Sequence, residues 1–160
     1  MVARKTFTKV SPLTGETLGE YPLASKGDAF RAVASAREAF QTWKTTTVES
    51  RGRLIRAAAR LLEDHKSDLA MLVRQETGKP LSDSEGEIDG AIEMGYMLAA
   101  HGRFPHGKLL PSAIPLRQTR MQRVPLGVAA LIITYNAPIP NFAWKMFPAL
   151  MAGNTVVAKP

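Results

Sequence analysis

Hydrophobic positions along the chain change their spacing several times, and each change predicts an element. Residues 5–22 read as two short extended stretches around Ser11-Pro12-Leu13-Thr14-Gly15-Glu16. That hexapeptide is turn chemistry, because Pro presets φ and Gly permits positive φ. Ser25-Lys26-Gly27-Asp28 has the spacing of a helix start, with an acid at the third helical position. Phe30, Val33, Arg37, Phe40 and Trp43 follow at helical spacing, with Ala36 and Ala39 between, and predict an amphipathic helix. From Glu49 a second stripe runs through Leu54, Ile55, Ala58, Leu61 and Leu62. Arg51, Arg53, Arg56 and Arg60 are expected on its solvated side. The pattern resumes at Leu69, Leu72 and Val73 and stops at Thr77-Gly78-Lys79-Pro80, where Gly followed by Pro ends a helix. Ser82 or Asp83 is expected to cap a third helix. Its inward face is Ile88, Ala91, Ile92, Gly95, Leu98 and Ala99, and His101-Gly102 ends it.

The last third of the chain follows a different pattern. Residues 102–115 are punctuated by Gly and Pro and read as loop, whereas residues 116–124 suit an extended ribbon with a polar surface. A lone ribbon is marginal in water, so this one needs a neighbour. Residues 128–133 and 155–158 are apolar runs without alternation, which fit parallel strands covered on both faces. Between them, residues 141–152 are apolar nearly all round and predict a buried helix, with Pro148 as an internal irregularity. Strand, helix and strand in that order make a parallel crossover. Ligands of open parallel sheets bind beyond the carboxyl ends of the strands. Asn136 follows the first strand and Lys159 ends the second, so neighbouring strands would bring both to one crevice. An amide donor and a cation there suit an anionic ligand or a developing oxyanion. A turn asparagine and a solvated strand-end lysine fit the same spacing.

Charge is divided unevenly along the chain. The net charge is +7, from 21 Lys and Arg against 14 Asp and Glu, and Glu93 is the last carboxylate. All of the excess therefore lies beyond Glu93, in Arg103, Lys108, Arg117, Arg120, Arg123, Lys145 and Lys159. No nucleic-acid recognition motif accompanies this charge, and no nucleic-acid partner is expected. The chain has no cysteine, which excludes disulfides and a thiol nucleophile within it. His65 reads as a surface residue, and His101 and His106 flank a Gly-containing break, so no metal site is expected. Trp43, Trp144 and the methionines fall at helical core spacing and are expected to pack. No apolar run approaches the ~20 residues of a membrane span, and the N-terminus has no signal-peptide core. The expectation is a cytoplasmic protein without membrane contact.

Several motifs resemble those of the aldehyde dehydrogenase superfamily. Residues 124–160, VPLGVAALIITYNAPIPNFAWKMFPALMAGNTVVAKP, are the most specific. Ser11-Pro12-Leu13-Thr14-Gly15-Glu16 resembles the family's early turn, and Glu76-Thr77-Gly78-Lys79-Pro80 is similar to its ETGKP segment. Ala39-Phe40, Trp43 and the Arg51–Leu62 region match its intervening helical pattern. The resemblance implies an enzyme that oxidises an aldehyde to a carboxylic acid with NAD or NADP, of which this chain looks like the N-terminal third. It carries the family's oxyanion-hole amide over to Asn136, in Asn136-Ala137-Pro138. It carries cofactor contacts over to Ile132, Ile133, Thr134 and Tyr135, and the ribose-binding lysine to Lys159. Thr134-Tyr135 and Ala137 depart from the family's usual Pro-Trp and Phe around that asparagine.

The expected fold class is α/β: N-terminal helices packed beside the start of a Rossmann-like parallel sheet, with a β-ribbon oligomerisation arm. The expected division is residues 1–115, the helical part of the cofactor domain; 116–126, the ribbon; and 127–160, an incomplete first strand–helix–strand unit. By the resemblance, the intact protein is a homo-oligomer, dimer or tetramer, and its catalytic Cys and general-base Glu lie downstream. The 160 residues alone are then expected to be inactive and to fold poorly. The alternative is a truncated, non-catalytic partner that acts through subunit assembly.

Overall fold

The computed structural model describes residues 5–104 and 106–160. Strands β1 (Thr6–Val10) and β2 (Thr17–Pro22) pair antiparallel around the predicted turn, with Gly15 at φ +75°. Helix α1 (Lys26–Trp43) starts where the Ser25/Asp28 spacing predicts. The Asp28 N–H donates to Ser25 Oγ at 3.2 Å, and the Ser25 N–H donates to Asp28 Oδ2 at 2.8 Å. This reciprocal pair occupies donors that a helix start leaves open. Phe30, expected on the inner face, is 66% exposed. The helix instead buries Ala36, and Trp43 Nε1 donates to the Leu150 carbonyl.

Helices α2 (Val48–Asp64), α3 (Lys66–Thr77), α4 (Leu81–His101) and α5 (Pro138–Met151) build the core. Ile55, Ala91, Ala143, Phe147 and Met151 form one buried cluster; Ala70, Val73, Ile88 and Ile92 form a second. Close approach of α2 and α4 depends on missing side chains. A Cβ on Gly95 would stand 2.6 Å from the Ala59 Cβ, and one on Gly52 would stand 2.6 Å from the Ala99 carbonyl oxygen.

Three further helix expectations need correction. Arg51 does not share the solvated face of Arg53, Arg56 and Arg60 but is buried. Its Nε donates to the Met151 carbonyl at 3.0 Å and its Nη1 to the Thr46 carbonyl at 2.6 Å. A cation at the carboxyl end of α5 meets unpaired carbonyls and the negative end of the helix dipole. Burial lowers its pKa from the ordinary arginine value. Meanwhile Leu54 and Leu61, expected in the inward stripe, are exposed. The entry to α4 also differs. Pro80, not Ser82 or Asp83, is the cap residue, and the buried Ser84 donates to the Pro80 carbonyl through both its N–H and its Oγ. Those two bonds close a first turn that already includes Ser82 and Asp83.

Strand β3 (Gly107–Leu110) lies in the stretch expected to be loop. It pairs antiparallel with β4 (Thr119–Gln122), in register from Gly107 opposite Gln122 to Leu110 opposite Thr119. The predicted ribbon thus finds its neighbour a few residues upstream, and every residue of both strands is exposed. Strands β5 (Val128–Ile132) and β6 (Thr155–Lys159) pair in parallel, with α5 as the crossover. Helix α5 runs through Pro148. It buries Pro140, Ala143, Phe147 and Met151, but Trp144 is half exposed, so it is covered on one stripe and not all round. Nor are the two strands covered on both faces by the described residues: Leu131 is buried and Ile132 is 69% exposed. Thr155 Oγ1 donates to the Ala36 carbonyl at 2.8 Å, which ties β6 to α1. No helix among the described residues is long and apolar enough to cross a membrane.

Candidate functional site

The parallel pairing of β5 and β6 puts their carboxyl ends side by side. Ile132 lies opposite Lys159, and the Ile133 N–H extends the ladder by donating to the Lys159 carbonyl at 3.0 Å. Beyond Ile133 the chain turns through Thr134, Tyr135, Asn136 and Ala137 into α5. All six residues predicted for the site therefore gather at one end of the sheet. Ile133 is half-buried; Ile132, Thr134, Tyr135, Asn136 and Lys159 are exposed, Tyr135 at 92%. Lys159 Nζ donates to the neighbouring Pro160 carbonyl.

Three restraints hold the turn. Ile133 is in the ladder, as described. Asn141 Nδ2 donates to Thr134 Oγ1 at 2.6 Å, linking the turn to the first coil of α5. On the other side, Lys79 Nζ donates to the Asn136 backbone carbonyl and pairs with Glu87. The turn is thus pinned to strand, helix and the α3–α4 junction, while the Asn136 side chain lies at the surface.

Helix α5 begins with few backbone donors at this end. A helix start normally offers four unpaired N–H groups, an anion site in themselves. Here Pro138 and Pro140 have no N–H, and the Asn141 N–H makes the first regular helical bond, to the Ala137 carbonyl. Of the four N–H groups from the cap residue Ala137 to Pro140, two are therefore missing.

The sequence profile of the aldehyde dehydrogenase family matches residues 1–160. The chain belongs to that family. It is 40% identical over 157 residues to malonate-semialdehyde dehydrogenase 1 of Geobacillus thermodenitrificans, covering 98% of this chain and 32% of the relative. It is 33% identical over 156 residues to D-glyceraldehyde dehydrogenase (NADP(+)) of Thermoplasma acidophilum, with the same coverages of 98% and 32%. Betaine aldehyde dehydrogenase of Staphylococcus aureus, solved in complex with NAD+, superposes with a TM-score of 0.93 at 32% identity, over 97% of this chain and 31% of that one. This aldehyde dehydrogenase segment thus spans about a third of the length of the relatives it matches.

Lys79 and Glu87 are the site residues that sequence reasoning missed in this aldehyde dehydrogenase chain. Lys79-Pro80 was legible as a helix stop, whereas Glu87 carried no assignment. Their pairing has a visible signal, because one closes α3 and the other lies two turns into α4. Their approach to Asn136, 57 residues away from Lys79, has no local signature.

Proposed function

We propose that this chain is the N-terminal part of an NAD(P)-dependent aldehyde dehydrogenase, which oxidises an aldehyde to a carboxylic acid. The observation that carries the reading is the position of Asn136: an exposed amide on a pinned turn, at the carboxyl end of a parallel strand, in a chain of this family. In the intact enzyme a nucleophile from the downstream sequence attacks the aldehyde carbonyl. Asn136 donates to the oxygen as negative charge develops on it, and that interaction is stronger in the transition state than in the bound aldehyde.

The residues at the sheet end fit a nicotinamide dinucleotide. Ile132 and Ile133 present an apolar edge beside the Lys159 cation, and Tyr135 adds an exposed ring. Such a mixture suits a ligand with flat, weakly polar rings and a hydroxylated, anionic centre. We assign Ile132, Ile133, Thr134 and Tyr135 to its contacts and Lys159 to its ribose. When bound, the dinucleotide supplies the hydride acceptor. The β3–β4 ribbon, exposed throughout and carrying Leu109 and Met121, is assigned to pairing between subunits of a homo-oligomer.

The test is Asn136→Ala in the full-length enzyme that carries this segment, followed by NAD(P)H formation from an aldehyde. Loss of one such donor is expected to lower kcat by ~100–1,000-fold. A loss smaller than severalfold overturns the oxyanion role.

A further inference from the structure

We propose that Lys79 is a positioning residue for Asn136, aimed by Glu87. The proposal rests on the oxyanion reading of Asn136 for its catalytic consequence, but its structural basis is separate. Lys79 follows Gly78, which ends α3 in the left-handed conformation at φ +81°. That turn directs the lysine stem back along α4, where the Lys79 ammonium meets Glu87. Both side chains are mostly shielded, with 24% and 15% of their surface exposed. Glu87 Oε2 is buried and receives no hydrogen bond from the described residues, so Lys79 is the carboxylate's cationic partner there. A shielded carboxylate restricts where the ammonium can sit far more than solvent would.

A second N–H of the ammonium donates to the Asn136 carbonyl. This matters because Asn136 lacks the restraints of its neighbours. Ile133 is held by the ladder and Thr134 by Asn141, but neither bond reaches the peptide that carries the Asn136 side chain. The bond from Lys79 does. It fixes that peptide's orientation, and with it the direction in which the Asn136 Cβ leaves the turn. A donor is effective only when it is held where charge will develop, without reorganisation during the reaction. Lys79 therefore acts on the reaction through Asn136 and not by touching substrate.

The proposal is tested in the full-length enzyme with Lys79→Met, Lys79→Arg, Asn136→Ala and the double variant Lys79→Met/Asn136→Ala. Lys79→Met is expected to lower kcat by ~10–100-fold, with KM for the aldehyde and affinity for the dinucleotide changed less than about twofold. Lys79→Arg, which keeps a cation, is expected to recover most of that loss. In the Asn136→Ala background, Lys79→Met is expected to cost less than about twofold more, because the group it positions is gone. Losses that multiply in the double variant overturn the proposal. Hydrogen exchange over residues 133–140 gives a readout independent of turnover: faster exchange there in Lys79→Met is expected, and unchanged exchange overturns the positioning role. Asn136→Ala without effect, together with faster exchange in Lys79→Met, removes the oxyanion reading while leaving the restraint in place. Should Lys79→Met fail to fold, Glu87→Gln carries the same comparisons, since it keeps the side-chain volume and removes the charge that aims Lys79.

Discussion

The helical cluster and the strand-bearing part of this chain solve the burial problem differently. In α2, α4 and α5, the inward positions find partners within the chain: Ala59, Ile88 and Ala91 are wholly buried and Phe147 nearly so. In the β3–β4 ribbon no residue is buried, and β5 ends on an isoleucine exposed at 69%. Charge divides by sequence instead: residues up to Glu93 are balanced, and the remainder, α5 included, carries the whole excess of +7. The comparison teaches that local helical packing was completed inside this segment, whereas its strands present apolar and cationic groups that the described residues leave uncovered. The candidate site lies at the junction, with Asn136 on the strand side and Lys79 and Glu87 on the helical side.

The sharpest way to break the comparison is to remove one large side chain from each region. Phe147→Ala is expected to destabilise the fold by about 3–5 kcal/mol, from lost burial and the cavity left behind. Leu109→Ala, on the exposed ribbon, is expected to change subunit stability by less than about 0.5 kcal/mol. Chemical denaturation of the two variants measures the contrast, and equal losses would erase the distinction between the regions. A smaller effect tests the helix contact itself. Gly95→Val places a Cβ where Ala59 and Phe147 already stand, at 2.6 and 3.1 Å, and is expected to cost about 1–3 kcal/mol. Gly86→Ala, on the same helix with open space around it, is expected to stabilise by about 0.5–1 kcal/mol.

The smallest expected effect concerns the surface of the helical cluster. Tyr96 donates to Glu63 Oε2 at 2.5 Å, and this hydrogen bond to its protonated form is the first cause raising its pKa above the ordinary 10.0. A group whose pKa rises on folding contributes stability below its unfolded pKa and loses it as pH climbs through the folded value. The parent protein is therefore expected to lose stability above pH 10 more steeply than Tyr96→Phe. Denaturation midpoints across that range check the sign, and parallel curves would remove the role of the Tyr96–Glu63 bond.

Much of this arrangement was legible because its causes are local. The start of α1 needed only Ser25 and Asp28 three residues apart, and the end of α3 only Gly78 before Pro80. The β5–α5–β6 crossover followed from two short apolar runs around a long one, and it placed Asn136 and Lys159 at adjacent strand ends. What escaped depended on partners distant in sequence. Arg51 looks like its neighbouring arginines until the carboxyl end of α5 arrives beside it. Strand β3 was hidden by the Gly and Pro residues around four extended ones, and only β4 makes it a strand. Lys79 resembles an ordinary post-helix lysine, because nothing near it announces the carbonyl it holds. Phe30, Leu54 and Leu61 erred in the other direction: helical spacing marked an apolar face without marking how much of it is covered.

The two prolines at the start of α5 bear on how the site treats anions at rest. A helix start with all its N–H groups intact retains phosphate or carboxylate in the ground state. With Pro138 and Pro140 in the first turn, two of the four donors are missing and that standing affinity is reduced. Under the proposed reaction, the acid formed beside Asn136 meets a side-chain amide and an incomplete set of backbone donors. Under that reading, product inhibition at this end of the sheet is expected to be weaker than it would be if α5 began with its full set of backbone donors.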